Sequence, residues 1–206
     1  MNVQSTLHKL IKKEPTKVDF KELHNLCFIS KKEIYNSTYQ EKGKTKHLLD
    51  KFSSRLGKID EMPFIGYVGT NYSNHSTQIL FVSRAEIDST NEDDELYANL
   101  YESFMQFKNS ASNLESAYRQ YADSYKEHIL NSSCSSYLNH FFKETDLTID
   151  DVAFVNAVPF KCLDNPSKKL YKPSIKDFTS RFFNIVQADW IQPFGLNDVQ
   201  RISFES

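Results

Sequence analysis

Two carboxylates lie a few residues beyond a short apolar segment of the chain. The segment, residues 78–82, is almost continuously apolar, as expected of a strand that is buried on both faces, and Glu86 and Asp88 follow it. A carboxylate in this position could orient a water molecule or stabilise a developing positive charge. Charged residues after a strand are also typical of an ordinary solvated loop, and the sequence leaves both interpretations open. Glu86 and Asp88 are therefore the candidate catalytic residues.

An amide side chain interrupts the second apolar segment, residues 152–158. This residue is Asn156, and a buried amide that makes no hydrogen bond costs about 1–3 kcal/mol. The amide offers a donor and an acceptor together, a combination that suits the edge of a nucleobase. The alternative interpretation is an asparagine at the end of a strand that caps a turn. Asn156 is the first candidate for binding a base.

The segment that follows, residues 159–173, is rich in proline and lysine and is predicted to be a loop. Phe160 and Tyr171 lie among its lysines, so the loop could hold a nucleic-acid backbone and stack a base. A basic loop more often serves solubility. The candidate residues for the nucleic-acid backbone are Lys161, Lys168, Lys169 and Lys172.

The histidines and cysteines show no spacing typical of a metal site. Neither His-x3-His nor Cys-x2-Cys occurs in the sequence, so we expect no metal and no cofactor. Three widely spaced cysteines, Cys27, Cys134 and Cys162, argue against a disulfide framework and favour a reducing, intracellular (cytoplasmic) location. No apolar run approaches the ~20 residues of a membrane span, so we expect no membrane association.

The net charge of −2 hides an uneven distribution along the chain. Residues 1–58 carry 13 Lys/Arg and 6 Asp/Glu, residues 59–151 carry 5 and 16, and residues 152–206 carry 7 and 5. A basic segment can bind a polyanion because neutralised phosphates release their counterions, although a solvated helical face is the plainer interpretation. The acidic middle third cannot lie along a phosphate backbone, so DNA binding would fall to the first and last thirds.

Apolar periodicity predicts the elements that position these residues. Helical spacing is present in residues 96–107, 114–130 and 137–142, and residues 199–204 could form a further strand. Residues 36–46 are polar and are predicted to be a loop.

The elements divide the chain into two predicted units. Residues 1–58 form a basic helical N-terminal lobe, and residues 62–206 form an α/β domain. We expect three layers, with helices around a short, mainly parallel sheet. Ligands of such sheets bind beyond the carboxyl ends of the strands, which is where Glu86 and Asn156 lie.

Two segments of the chain resemble the uracil-DNA glycosylase superfamily. PFIGYVGTNY at 63–72 and QILFVSRAE at 78–86 are similar to the lead-in and the strand that carry the first catalytic motif. VAFVNAVPFKC at 152–162 is similar to the strand whose asparagine binds the base, followed by the Lys-Cys pair of the cluster-containing branch. The resemblance covers residues 62–206.

The resemblance implies a four-stranded parallel sheet and hydrolysis of the N-glycosidic bond of a flipped uracil or modified base. Asn156 would bind the base together with Phe160 and Tyr72, and Glu86 or Asp88 would act in catalysis. The four lysines between 161 and 172 would hold the DNA phosphates.

The sequence departs from the superfamily pattern at both catalytic motifs. The residues after the first strand are Ser83-Arg84-Ala85-Glu86, without the glycine and proline of the family. The chain contains no His-Pro-Ser motif, so we expect a domain that is incomplete at its C-terminus. Only Cys162 matches a ligand position of the iron–sulfur branch, whose clusters need four ligands, so we expect no cluster.

These departures keep a second interpretation open. The chain is then a non-catalytic, glycosylase-like module that binds nucleic acid or a protein partner. It could also be one part of a larger assembly in which the partner completes the sheet, because an exposed sheet edge invites pairing. The presence of Asn156 favours the enzyme, and the missing histidine motif favours the module.

Overall fold

The computed structural model describes residues 17–52, 62–86, 95–163, 165–166 and 168–193. Its helices are α1 (Phe20–Leu26), α2 (Lys31–Ile34), α3 (Leu48–Phe52), α4 (Glu95–Lys108), α5 (Leu114–Asn131), α6 (Ser135–Glu144), α7 (Lys168–Ser174) and α8 (Ser180–Val186). Its strands are β1 (Thr38–Glu41), β2 (Lys44–His47), β3 (Tyr67–Val68), β4 (Ile79–Ser83), β5 (Ala153–Asn156) and β6 (Trp190–Pro193). The predicted catalytic Asp88 and the predicted strand at 199–204 lie outside the described residues.

Four strands form one sheet in the order β3-β5-β4-β6. β4 runs parallel to both of its neighbours, β5 and β6, whereas the two-residue β3 pairs with β5 in the antiparallel sense. The fold is mixed α/β with a mainly parallel sheet, as predicted, but β3 departs from the four-stranded parallel sheet that the resemblance implies. The chain reverses between β3 and β4 through residues 69–78, which contain only a short 3-10 turn, so it lacks the crossover that a parallel pair requires.

β6 is a strand that the sequence did not predict. It pairs in parallel with β4, with Trp190 opposite Ile79. Its four residues end in Pro193, and a short segment containing proline gives a weak strand signal.

Both faces of the sheet are buried. Phe81 and Phe154 are register partners on β4 and β5, so their side chains point to the same face. There the Phe81 ring lies 5.0 Å from that of Phe141 on α6, and the Phe154 ring lies 6.1 Å from that of Tyr125 on α5. The opposite face carries the fully buried residues Leu80, Val82 and Val155. A ligand can therefore approach this sheet only at its ends and edges.

The three helices predicted from apolar spacing are confirmed as α4, α5 and α6. Helix α5 buries a column of residues three or four positions apart, Tyr118, Tyr121, Tyr125 and His128. The tyrosine rings contact one another along the column, with centroids 6.0 and 5.6 Å apart. This packing fixes α5 against the sheet and sets the position of His128 near the last turn of the helix.

The predicted loop at 36–46 is wrong, because this polar stretch forms the antiparallel hairpin β1-β2. Its two-residue turn is Lys42-Gly43, with φ angles of 51° and 72°. Positive φ at both positions is what a tight hairpin turn with the twist of its strands needs. The strands carry no apolar alternation, so no periodic pattern predicts them.

The predicted loop at 159–173 is also only partly correct, since α7 begins at Lys168. One face of α7 is buried at Leu170 and Ser174. The Ser174 hydroxyl donates to the Leu170 carbonyl at 2.7 Å and lies 2.7 Å from the Tyr35 hydroxyl. Helix α7 is thus attached to the N-terminal segment, whose buried residues belong to the same hydrophobic core as the sheet.

Candidate functional site

A cavity of about 300 Å³ lies at the carboxyl ends of β4 and β5. This volume is at the small end of the range for ligand pockets. The strands, helix α5 and the α5–α6 turn supply its walls. The lining residues are Ser83, Ala85, Glu86, Leu96, Tyr125, His128, Ile129, Asn131, Ser132, Ser133, Cys134, Phe154 and Asn156. The prediction that Glu86 and Asn156 lie together at the carboxyl ends of neighbouring strands is confirmed.

Asn156 is the last residue of β5 and lies opposite Ser83 on β4. Its Oδ1 accepts a hydrogen bond from the Ser83 hydroxyl, and its Nδ2 donates to the Tyr125 hydroxyl at 3.4 Å. An amide has two hydrogens and two acceptor positions, so one of each remains for a ligand. Asn156 is only 2% exposed, and the two hydroxyl contacts hold its amide in one orientation in the cavity wall.

Glu86 enters the cavity from the segment after β4. Its main-chain carbonyl accepts from the Cys162 amide at 2.8 Å, which ties this segment to the one that follows β5. Its side chain is 23% exposed, and its Oε1 lies 3.1 Å from the Nε2 of His128. The neighbouring Arg84 donates to Asn165 Oδ1 at 3.1 Å. The side chain that lies beside the Glu86 carboxylate in the cavity is therefore a histidine that the sequence analysis did not connect with it.

His128 is the residue of this site that sequence reasoning missed. Its side chain is 8% exposed, and its ring lies 6.2 Å from that of Tyr125 and 6.0 Å from that of Phe64. The available signal was the spacing of the α5 column, in which a histidine continues a row of buried tyrosines. Helical spacing shows that such a residue is buried, but it does not show which strand end it meets.

Burial keeps two other ionisable groups of the cavity in their neutral forms. Burial and then the negative charge of Glu86 raise the pKa of Tyr125 well above its ordinary value. Burial also raises the pKa of the Cys134 thiol. A thiolate nucleophile at neutral pH is not favoured in this environment.

Two predicted base-binding residues lie in the core rather than at the cavity. Tyr72 is fully buried, and its hydroxyl donates to the Val186 carbonyl at 3.2 Å. Phe160 is 1% exposed, and its ring packs 6.2 Å from that of Tyr35. Neither ring lines the cavity. The structure therefore contradicts the prediction that Tyr72 and Phe160 bind a base, and both rings pack in the core.

The predicted backbone lysines lie at different distances from the cavity. Lys161 places its Nζ 4.4 Å from the centre of the Tyr97 ring, which itself lies 6.5 Å from that of His128. On α7, Lys169 lies 4.3 Å from the Tyr39 ring of the hairpin, and Lys172 is exposed. The side chain of Lys168 lies outside the described part of the structure. None of the described lysines of this set lines the cavity, and Lys161 is linked to it through Tyr97.

Within the described residues, no group of three or more His, Cys, Asp or Glu side chains is arranged to hold a metal ion. None of the helices described is both long and apolar enough to cross a membrane. The three cysteines are unpaired with one another.

Comparison with known proteins found no match: no protein-family model, no curated protein and no solved structure is similar to the chain.

Proposed function

We propose that the chain is a DNA glycosylase-like protein of the uracil-DNA glycosylase type. Its cavity receives a flipped uracil or modified base, and it hydrolyses the N-glycosidic bond of that nucleotide. The observation that carries the proposal is that two residues line the same cavity. Asn156 lies at the end of β5, and Glu86 lies beyond the end of β4. An amide and a carboxylate at one cavity can address the base and the sugar of the same nucleotide.

The pairing of β4 with β5 supports this proposal. In the superfamily that the chain resembles, the first catalytic motif and the base-binding asparagine follow separate strands of one sheet. Here the two segments that carry the resemblance form neighbouring parallel strands, and Ser83 lies opposite Asn156 although 73 residues separate them. Strand ends at one edge of a parallel sheet are the usual position of a ligand in such folds.

The amide of Asn156 suits a heterocycle with an acceptor and a donor side by side. Its remaining N–H would donate to a carbonyl oxygen of the base, and its remaining acceptor position would accept from a ring N–H. Ser83 and Tyr125 hold this amide before the base arrives. Such preorganisation lowers the cost of ordering the site when the ligand binds.

Glu86 would act on the sugar. Positive charge develops at the sugar as the bond to the base breaks, and a fixed carboxylate stabilises that charge. The 23% exposure of Glu86 also leaves its oxygens accessible to the attacking water.

The lysines would hold the DNA while the base is outside the stack. Extrusion of a base costs a few kcal/mol. Lys161 contacts Tyr97, whose ring lies 6.5 Å from that of His128, and Lys169 and Lys172 add positive charge along α7. Binding through several phosphates would weaken steeply with added salt, because each released counterion gains less entropy when the solution already holds more ions.

The test is an excision assay on single- and double-stranded DNA that carries uracil or one of several modified bases, with alkali to cleave abasic sites. Asn156→Asp exchanges the donating group for an acceptor and keeps the shape. We expect it to lower the preference for uracil over other bases roughly ten- to a hundredfold. Asn184→Asp, on the exposed side of α8, is the matched control and should change nothing. An unchanged preference in Asn156→Asp contradicts the proposed recognition.

A non-catalytic module that binds nucleic acid or a protein is the second candidate function. It is favoured by the segment Ser83-Arg84-Ala85-Glu86, which lacks the glycine and proline of the catalytic motif. It is also favoured by β6, which forms one of the two edges of the described sheet and carries Trp190 at 59% exposure. A partner strand could complete the sheet there. DNA binding without excision of any base would decide for this candidate.

A further inference from the structure

The cavity contains a second ionisable side chain that neither the sequence motifs nor the proposed roles use. This is His128, whose Nε2 lies 3.1 Å from Glu86 Oε1. The contact lacks hydrogen-bond alignment, and Nε2 is buried without a hydrogen-bond partner. A nitrogen that lies beside a carboxylate without donating to it can direct its hydrogen to a third group. The cavity that both residues line is the space in which a ligand atom could supply that group.

We propose that His128 donates a proton to the departing base. This inference rests on the proposed glycosylase function and adds a catalytic residue to it. Aromatic rings surround His128, and the carboxylate of Glu86 lies beside its Nε2, where it favours a hydrogen on that nitrogen. The pair therefore places a transferable proton on His128 in the wall of the cavity.

The reaction balances with one water molecule. The bond from C1′ of the sugar to the base nitrogen breaks, and its electron pair stays on the base. The Nε2 proton of His128 passes to the base. The water oxygen then bonds to C1′, and the proton that it releases returns to His128. The products are the free base and an abasic sugar, and His128 and Glu86 end in their starting states.

The other ionisable groups around His128 are less suited to donate a proton to the base. Tyr125 on α5 and Cys134 in the α5–α6 turn have pKa values raised by burial, so both remain neutral. Tyr97 on α4 faces the ring at 6.5 Å, and the Lys161 ammonium lies 4.4 Å from the Tyr97 ring centre. Among the described residues, Glu86 is the one carboxylate that lines the cavity.

The experiment is a single-turnover excision assay across the pH range in which the protein stays folded. General acid catalysis by His128 predicts that the wild-type rate falls on the alkaline side of its pH profile. His128→Gln keeps a polar side chain of similar length but cannot transfer the proton. We expect it to lower the rate roughly a hundred- to ten-thousandfold and to remove the alkaline fall. His140→Gln, an exposed position on α6, should keep the wild-type profile.

The outcomes separate this inference from the function on which it rests. Excision by His128→Gln at the wild-type rate, with the alkaline fall intact, overturns the role of His128 and leaves the glycosylase function standing. Failure of the wild-type protein to excise any base overturns both. A lowered rate with an unchanged pH profile also overturns proton donation, because a merely structural loss would not remove a titration. Equal melting temperatures for wild type and variant exclude unfolding as the cause.

Discussion

A histidine lies beside a carboxylate near each end of β5. The two pairs differ in how completely the carboxylate is hydrogen-bonded. Before the amino end, His75 Nε2 donates to Asp151 at 2.8 Å. Asp151 also accepts from the amide and the hydroxyl of Thr148, both at 2.7 Å. Beyond the carboxyl end, His128 and Glu86 lie 3.1 Å apart without hydrogen-bond alignment.

The surroundings of the two pairs extend this difference. Next to Asp151, the carboxylate of Asp150 accepts from Lys126 at 2.6 Å and from the Tyr67 hydroxyl at 3.0 Å. The amino-end network therefore joins β3, α5 and the turn before β5 into a satisfied cluster. The carboxyl-end pair lines a cavity of about 300 Å³.

The comparison indicates that residue type alone does not distinguish a fully hydrogen-bonded pair from one that can still bind a ligand. A histidine and a carboxylate whose bonds are all filled contribute to stability. The same two groups with bonding capacity left over, beside an empty space, are available to a ligand. We therefore expect substitutions at the amino end to change stability and substitutions at the carboxyl end to change activity.

The largest expected effect is on activity at the carboxyl end. Glu86→Gln keeps the shape of the side chain and removes its charge, so excision should fall roughly a hundred- to thousandfold. The free energy of unfolding should change by no more than about 0.5 kcal/mol, since the side chain is partly exposed. Excision kinetics and urea unfolding measure the two quantities, with Glu127→Gln on the exposed side of α5 as the control. A large loss of stability with unchanged excision would show that Glu86 contributes to stability rather than to activity.

The next effect is on stability at the amino end. Gly69 donates to the Val152 carbonyl at 3.0 Å, and a Cβ added there would overlap the main chain of Asp150. Main chain cannot move aside as a flexible side chain can, so Gly69→Ala should destabilise the protein by about 3 kcal/mol. Urea unfolding measures this, and Thr70→Ala at the adjacent exposed position is the control. A neutral Gly69→Ala would show that the two segments are not held together as closely as the structure indicates.

The smallest effect is the pH dependence of the Asp151 contribution. Burial raises the pKa of this carboxyl, but hydrogen bonds from Thr148, His75 and Asn71 outweigh it and lower the pKa to about 2. Its folded pKa is below the unfolded value of 3.8, so the stabilisation is complete above about pH 4 and is lost as the pH falls toward 2.

Asp151→Asn should therefore destabilise the protein by about 1 kcal/mol at neutral pH, because a neutral amide replaces the charged acceptor of these hydrogen bonds. The difference in unfolding free energy between wild type and variant should shrink as the solution is acidified below about pH 4. Asp146→Asn, at an exposed position, is the control and should show no such pH-dependent difference. A constant difference for Asp151→Asn across the acid range would contradict the lowered pKa.

The sequence by itself determined the elements with strong apolar patterns. The spacing of Leu96 to Phe107 and the tyrosines at 118, 121 and 125 predicted helices that the structure confirms. The two short apolar runs predicted β4 and β5, and parallel pairing then placed Glu86 and Asn156 at one edge. These inferences succeeded because burial of an apolar face dictates a local period, and parallel strands end at the same side of a sheet.

Only the tertiary structure decided which side chains share the cavity. His128 enters it because the packing of the α5 tyrosines sets where the last turn of that helix meets the strand ends. Tyr72 and Phe160 are excluded from it because their rings fill the core. The hairpin β1-β2 and helix α7 were also missed, since polar strands and a proline-containing helix have little apolar period. Spacing along a chain shows which face of an element is buried, but the partner of that face depends on contacts between residues far apart in the sequence.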